Sequence, residues 1–121
     1  LVKIDFGLME QVLYNLIYNA IQYASASINL RVKAFYDNGI MTLQVMDRGP
    51  GFPQDELQNV FNKFYRLKGS ISGGTGLGLS IVKGFVQAHN GTVTIENRKN
   101  GGSIITVKIP TEIPDLNKIL L

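Results

Sequence analysis

Four glycines within six residues mark the stretch of this sequence whose residue types point most clearly to chemistry. They are Gly73, Gly74, Gly76 and Gly78. Glycine carries the largest backbone entropy cost on folding. A cluster this dense is therefore not suited to a packed element. Residues 79–89 have the composition of a helix, and a glycine loop that runs into a helix leaves unpaired N–H groups at the positive end of the helix dipole. The pattern predicts a phosphate-binding site, with a flexible linker as the alternative.

The spacing of these glycines excludes two well-known phosphate loops. The P-loop requires a lysine directly after the second glycine of GxxxxG, and Leu79 stands there. The dinucleotide fingerprint requires a third glycine after Gly74 and Gly76, and that position is again Leu79. The loop therefore belongs to another kind of phosphate site, in which glycines recur at every second position.

Two asparagines one helical turn apart form a second polar group. Apolar residues recur every three or four positions in residues 6–24 and predict a helix with one broad apolar face. Asn15 and Asn19 lie on the edge of that face, although asparagine is unfavourable in a helix interior. Their amides either bind a neighbouring loop or direct side-chain oxygens toward a ligand or a hard cation, and the sequence leaves both interpretations open.

Asp47 is a carboxylate that the strand pattern places on the core side. Residues 28–36 alternate as a half-buried strand, and residues 37–39 predict a hairpin turn. On the returning strand Leu43 and Val45 share one face, and Asp47 falls on that same face. A buried carboxylate needs a donor. It either caps the turn that follows or accepts a hydrogen bond from a ligand amino group, and we favour the ligand.

The segment between Asp47 and the glycines predicts a short helix and a lid. Pro53 can begin a helix whose apolar side includes Leu57 and Val60. The periodicity fades in residues 62–72, where positive charge concentrates. These cations lie either in a solvated surface loop or in a mobile lid that reaches the phosphates.

The last third of the sequence predicts a helix and a strand pair. The helix from about residue 76 ends at Asn90-Gly91, with His89 stabilising its last turn. Residues 92–97 and 103–109 alternate as strands joined by a glycine-rich turn.

Composition and element order define the fold class. The chain has 121 residues, 45% of them hydrophobic, a formal charge of +3 and no cysteine. These values predict one domain without disulfides or thiolate metal sites, and without a nucleic-acid or membrane-binding surface. With a short strand at residues 1–5, the order β-α-β-β-α-lid-α-β-β predicts a two-layer α/β sandwich, a mixed sheet with helices on one face. We expect the domain to occupy residues 1–110 and a tail residues 111–121.

Four segments in order resemble the N, G1, F and G2 boxes of sensor histidine kinases, the HATPase_c domain of the GHKL superfamily. They are residues 15–20 (NLIYNA), 47–51 (DRGPG), 61–66 (FNKFYR) and 74–79 (GTGLGL). The likeness covers about residues 5–110 and implies the Bergerat ATP-binding fold, shared with gyrase B, Hsp90 and MutL. A further likeness to the KdpD-like branch rests on KFYR at residues 63–66, Ala88-His89, Asn97-Arg98 and Gly101-Gly102.

The resemblance implies a role for individual residues. Asn19 would coordinate the Mg²⁺ that bridges the ATP phosphates, with Asn15 assisting, and these two are the implied catalytic residues. Asp47 would take the adenine amino group, while Gly49 and Gly51 let the backbone approach the base. The other residues implied to border the nucleotide are Tyr23, Lys63, Arg66, Gly74, Thr75, Gly76, Leu77, Gly78, Leu79, Ser103 and Ile105.

The sequence departs from the family pattern at two points. Gln22 stands where many relatives carry a lysine or arginine that reaches the phosphates. No segment resembles the phospho-acceptor box, which is a histidine followed by an acidic residue and a later proline. His89 is followed by Asn90-Gly91 instead. Asn15 stands where efficient hydrolases of this fold have a glutamate, and asparagine has no useful basicity, so transfer to a histidine is favoured over hydrolysis.

The function that the resemblance implies is that of the ATP-binding catalytic domain of a two-component sensor histidine kinase. The γ-phosphate of ATP would pass to a histidine on a dimerisation domain that this chain lacks, and from there to a response regulator. We expect a monomeric, cytoplasmic fragment of a homodimeric parent, with an inner-membrane anchor of the parent left open. The alternatives are a nucleotide-binding module of the same fold without competent transfer, and a serine-directed kinase of the anti-sigma type.

Overall fold

Two helices, one 3₁₀ segment and four strands make up the part of the chain that the computed structural model describes, residues 6–23, 29–62 and 78–111. In chain order the elements are α1 (Phe6–Tyr23), β1 (Arg31–Asp37), β2 (Ile40–Met46), the 3₁₀ segment (Gln54–Asn59), α2 (Gly78–Ala88), β3 (Thr92–Asn97) and β4 (Ser103–Pro110). The predicted strand at residues 1–5, nearly all of the predicted lid and residues 112–121 of the predicted tail lie outside these ranges.

Helix α1 forms where the apolar periodicity predicts it. Val12, Leu16 and Ala20 recur at four-residue spacing and are buried against the rest of the molecule. The opposite side of the helix exposes Tyr14 and Tyr18, whose rings stack with their centroids 6.0 Å apart. The helix therefore has one face for packing and one for solvent, as a surface helix of a two-layer domain should.

The four strands form one sheet in the order β1-β2-β4-β3. Every neighbouring pair is antiparallel, so the parallel pairing that a mixed sheet requires does not occur among the described strands. Between β1 and β2, Asn38 and Gly39 have φ values of 51° and 81°, the left-handed geometry of a two-residue hairpin turn. Helices α1 and α2 pack against each other and against the sheet, which confirms the predicted α/β sandwich.

Strand β1 differs from the prediction of a half-buried strand. All seven of its residues are exposed, including Val32 and Tyr36. The reason is its position at the edge of the sheet, since α1 packs mainly over β2 and α2 over β3 and β4. Alternation in a sequence shows that a strand has an apolar face, but it does not show whether another layer reaches that face.

The helix predicted after Pro53 is a 3₁₀ helix of six residues. Pro53 directly precedes its first residue, and no side-chain cap supports that end. Short, uncapped helical segments are marginal, so the tighter 3₁₀ form is expected for one turn or two. The predicted apolar side is confirmed, because Val60 is buried and Leu57 and Phe61 pack against the core.

The end of α2 is a Schellman motif centred on Asn90. Asn90 has φ 61°, its N–H bonds the carbonyl of Gln87 at 3.0 Å, and the N–H of Gly91 bonds the carbonyl of Val86 at 2.8 Å. The predicted stop at Asn90-Gly91 is confirmed. His89 stabilises the same end, since its Nδ1 lies 2.8 Å from the carbonyl oxygen of Phe85 and must carry the proton to bond it.

The core lies between the two helices and the inner face of β2, β3 and β4. Its fully buried members come from α1, α2 and β4; they are Val12, Leu16, Val82, Val86 and Val107. No helix in the described ranges is long and apolar enough to span a membrane.

Candidate functional site

Asp47 follows the last residue of β2 and is buried, with 7% of its surface exposed. Its main-chain N–H extends the β2–β4 ladder by bonding the carbonyl of Ser103 at 3.1 Å. Its Oδ1 accepts the N–H of Gly49 at 2.8 Å, and its Oδ2 accepts the Ser103 hydroxyl at 2.8 Å. The predicted core-side position is confirmed, and so is the turn cap. Each oxygen keeps a lone pair, so capping and ligand binding are compatible.

A small open pocket lies beside this carboxylate. It brings together α1, the loop of residues 47–52 (the 47–52 loop) and the first residue of β4; the lining residues are Asn19, Ala20, Asp47, Pro50, Gly51, Phe52 and Ser103. Asp47 is the one charged side chain among them. A fixed carboxylate in a pocket walled by Ala20, Pro50 and Phe52 is suited to a flat apolar ligand that offers a hydrogen-bond donor.

Asn15 and Asn19 occupy the side of α1 that faces this site. Asn19 is half-buried and lines the pocket, whereas Asn15 is buried and its Nδ2 has no hydrogen-bond partner among the described residues. The Oδ1 of Asn15 is 3.6 Å from the position that a Cβ on Gly78 would take, so Asn15 lies beside the start of α2. Of the two interpretations left open above, a neighbouring loop and a ligand, the absence of a loop acceptor among the described residues favours the ligand.

Gly51 is a position where the loop requires glycine. Its φ is +74°, and a Cβ there would lie 2.7 Å from Oδ1 of Asn97 and 3.1 Å from the carbonyl oxygen of Gly102. Gly49 contributes its N–H to the Asp47 carboxylate. Glycine at position 51 therefore lets the loop pack closely against Asn97 and Gly102 while its backbone lines the pocket.

Some of the residues that the resemblance implies at the nucleotide lie in the apolar core, and others lie outside the described part of the chain. Leu79 and Ile105 are buried in the apolar core and do not line the described pocket. Tyr23 ends α1, and its side chain lies outside the described part. Lys63, Arg66, Gly74, Thr75, Gly76 and Leu77 also lie outside it.

The end of β3 supports the site in a way that the sequence pattern did not predict. The side-chain amide of Asn97 bonds both the N–H and the carbonyl of Phe52, and Nη1 of Arg98 bonds the carbonyl of Asp47. A signal was present, because Asn97 has the same parity as Val93 and Ile95, the inward-facing residues of β3. A polar residue at an inward position at the end of a strand is a candidate for such a contact.

Known proteins resemble the chain in both sequence and fold. Residues 5–113 match the family model described as histidine kinase-, DNA gyrase B- and HSP90-like ATPase. The sensor protein KdpD of Escherichia coli is 39% identical over 120 residues, which are 98% of this chain and 13% of that protein. A mycobacterial sensor histidine kinase, MprB, superposes with a TM-score of 0.82 at 28% identity over 93% of this chain and 78% of that one. The catalytic domain of the histidine kinase ThkA gives 0.78 at 31% identity over 90% and 70%.

The chain belongs to the family of histidine kinase-, DNA gyrase B- and HSP90-like ATPases, since the family model covers nearly all of it. Within that family it is a catalytic, ATP-binding domain of the two-component sensor histidine kinase type, with KdpD among its relatives. The predicted resemblance and fold are thereby confirmed. The chain spans about an eighth of the length of KdpD.

Proposed function

We propose that the chain binds ATP together with Mg²⁺ and directs the γ-phosphate to a histidine on a dimerisation domain outside this chain. The observation that carries the proposal is the buried Asp47, held by Gly49 and Ser103 at the edge of a pocket that also contains Asn19. The family to which the chain belongs supports ATP as the nucleotide.

The Asp47 carboxylate supplies the base-binding chemistry in this proposal. An ionised carboxylate only accepts hydrogen bonds, so it suits the exocyclic amino group of adenine and opposes a base with a carbonyl at that position. Ser103 orients the carboxylate from the side of β4, and Gly51 contributes backbone to the lining of the pocket. The pocket would thus select the base before any phosphate chemistry occurs.

The phosphates in this proposal lie between Asn15, Asn19 and the start of α2. The first turn of a helix presents unpaired N–H groups and positive dipole charge to an anion. Amide oxygens fit Mg²⁺, which takes few protein ligands when it is bound with a nucleotide. The Nδ2 of Asn15 is a donor without a partner among the described residues, and it fits a phosphate oxygen. Asn19, assisted by Asn15, would hold the ion, whose role there is to neutralise phosphate charge. The remaining implied contacts are Tyr23, Lys63, Arg66, Gly74, Thr75, Gly76, Leu77 and Gly78.

The residues around the pocket favour phosphoryl transfer over hydrolysis. Phosphoryl transfer asks chiefly for positioning and charge neutralisation, whereas rapid hydrolysis asks for a base that activates water. Asn15 is not a base, and among the described lining residues the one carboxylate, Asp47, is engaged by Gly49 and Ser103. An imidazole is itself a nucleophile, so an acceptor histidine needs no such base.

The partners of the proposed reaction follow from this role. They are the parent protein's histidine-containing dimerisation domain and a response regulator, with a homodimeric parent and a cytoplasmic location for this domain. The family relatives are sensor kinases, which supports the assignment.

Calorimetric titration of the chain with ATP, with and without Mg²⁺, tests the proposal. We expect binding that strengthens with Mg²⁺ and that Asp47→Ala weakens at least about tenfold, because a hydrogen bond to a charged group is lost. Asp55→Ala removes an exposed carboxylate of the 3₁₀ segment and serves as the matched control. Unchanged ATP affinity in Asp47→Ala, with the control also unchanged, would refute adenine binding at this pocket.

A further inference from the structure

Two residues at the end of β3 hold the 47–52 loop from outside the pocket. The Oδ1 of Asn97 accepts the N–H of Phe52 at 2.9 Å, and the Nδ2 of Asn97 donates to the carbonyl of Phe52 at 2.7 Å. Nη1 of Arg98 donates to the carbonyl of Asp47 at 3.1 Å. The two ends of the loop are thus attached to the same short segment, which lies about 45 residues away in the sequence.

The primary amide of Asn97 matches the two groups that it contacts. A side-chain amide presents one acceptor and two donors side by side, and here it meets a main-chain donor and a main-chain acceptor of one residue. The same Oδ1 would lie 2.7 Å from a Cβ on Gly51, so the amide also packs against the backbone that lines the pocket. Asn97 therefore fixes the direction of the chain at Gly51 and Phe52.

Asn97 itself is not part of the apolar core, so its contact with the loop can be removed without removing a core side chain. Asn97 is exposed and does not line the pocket, whereas the side chain of Phe52 is buried and belongs to the core. Replacing Asn97 removes the loop attachment without opening an apolar cavity. A change in ligand selectivity can then be distinguished from a loss of folding.

We propose that Asn97 is a positioning residue that sets base selectivity by fixing the 47–52 loop. The inference rests on the proposed function in that Asp47 receives the adenine amino group. Hydrogen bonds weaken steeply as their geometry departs from linear, so a loop released at Phe52 presents the Asp47 carboxylate less accurately. The loss falls on a base that uses this carboxylate more than on one that does not.

The experiment compares Asn97→Ala and Asn97→Asp with Glu96→Gln, a change at the exposed neighbouring position. Each protein is titrated with ATP and with inosine triphosphate, in which a carbonyl replaces the amino group. We expect Asn97→Ala to weaken ATP binding about three- to tenfold, from the loss of two modest hydrogen bonds, and to weaken inosine triphosphate less. Asn97→Asp keeps the acceptor but places a second oxygen opposite the carbonyl oxygen of Phe52. We therefore expect the ratio of ATP affinity to inosine triphosphate affinity to fall in this variant as well. Glu96→Gln retains the wild-type preference.

A second readout does not depend on the nucleotide. Amide hydrogen exchange at Phe52 in the nucleotide-free chain is expected to accelerate in Asn97→Ala and to stay unchanged in Glu96→Gln. The inference is overturned by a wild-type ATP preference in both Asn97 variants, or by equal weakening of the two nucleotides. If Asp47→Ala does not weaken ATP binding while exchange at Phe52 still accelerates, the proposed role of Asp47 has failed and the selectivity inference fails with it, although the attachment of the loop is real.

Discussion

Asp47 and Asn15 are both buried polar side chains, yet their hydrogen-bonding capacity is met to different degrees. Both oxygens of Asp47 accept a hydrogen bond, whereas Nδ2 of Asn15 has no partner in the part of the chain that the structure describes. The orientation of Asp47 is therefore set before a ligand arrives. Asn15 carries a desolvation cost of about 1–3 kcal/mol in the nucleotide-free chain, a cost that a bound ligand can relieve.

Asn15→Leu tests whether the desolvation cost of the Asn15 amide is retained because the amide binds the ligand. Leucine has a similar size and no polar atoms, so we expect the free energy of unfolding of the nucleotide-free protein to rise by about 1 kcal/mol. The Mg²⁺-dependent part of ATP affinity should fall at the same time. Denaturant unfolding and calorimetric titration measure the two effects.

Gln11→Leu is the matched control for that change, since Gln11 is exposed on the same helix. It should alter neither ATP binding nor its dependence on Mg²⁺. Loss of stability in Asn15→Leu, with ATP binding retained, would mean that the buried amide has a structural role.

At the scale of elements, the close approach of the β3–β4 turn to the 47–52 loop shapes the site. Gly102 has φ +97°, and a Cβ on it would collide with the carbonyl oxygen of Asp47. Arg48 adds a further bond from the loop to the carbonyl of Gly101 at 3.3 Å. A side chain at Gly102 must therefore displace the residue that is proposed to bind the base.

We predict that Gly102→Ala lowers both stability and ATP affinity. The backbone conformation alone costs about 1–2 kcal/mol for a residue with a Cβ, and the collision with Asp47 adds to it. Gly84→Ala is the control, because Gly84 is exposed within α2 and a Cβ there has no neighbour within 4 Å. That control should gain about 0.5–1 kcal/mol from helix propensity. Thermal unfolding and ATP titration measure the two effects. Equal stability and equal ATP affinity in Gly102→Ala and Gly84→Ala would contradict the prediction.

The end of α2 provides a test of helix termination. Asn90 holds the left-handed position of the Schellman motif, where asparagine is tolerated and glycine is favoured. Asn90→Ala should lower the free energy of unfolding by about 1 kcal/mol, while Asn90→Gly should leave it equal or higher. Denaturant titration of both variants decides the matter, and equal losses would show that the asparagine side chain is needed.

Local patterns in the sequence predicted those features that neighbouring residues determine. The turn at Asn38-Gly39, the stop at Asn90-Gly91 and the inward direction of Asp47 each depend on a few adjacent positions and are confirmed. The exposure of β1 depends on what packs nearby, and the prediction of a half-buried strand was wrong. The helix after Pro53 was predicted, but its 3₁₀ form was not. Periodicity carries no information about distant packing.

In the candidate site, too, features set by neighbouring residues could be predicted and features set by distant residues could not. Asn15, Asn19 and Asp47 could be singled out because polar residues at core-facing positions are unusual in a local pattern. The attachment of Phe52 to Asn97 joins positions 45 residues apart, and no local rule places them together. The unpaired Nδ2 of Asn15 likewise becomes visible only when its surroundings are known.

For the molecule as a whole, the pocket lies where the helix layer meets the sheet. Asn19 and Ala20 come from α1, and Ser103 comes from β4. A ligand bound there contacts both layers at once. Binding to the native state alone adds to the free energy of unfolding by mass action.

ATP should therefore raise the unfolding temperature of the chain in the presence of Mg²⁺. At 100 times the dissociation constant the added stability is about 2.7 kcal/mol, which corresponds to several degrees. Asp47→Ala at the same ATP concentration should show a much smaller shift. Thermal scans with inorganic tripolyphosphate control for nonspecific anion effects, and an equal shift with that anion would contradict base recognition.

The bond between the Ser103 hydroxyl and Asp47 spans 56 positions of the chain. A polypeptide growing on the ribosome acquires Asn15, Asn19 and Asp47 early, but it lacks the strand that orients the carboxylate until β4, the last described element, has been made. Contacts of such long range form late in folding because loop closure must precede them. In the proposed function, the growing chain therefore completes its base-binding carboxylate only when synthesis has passed Ser103.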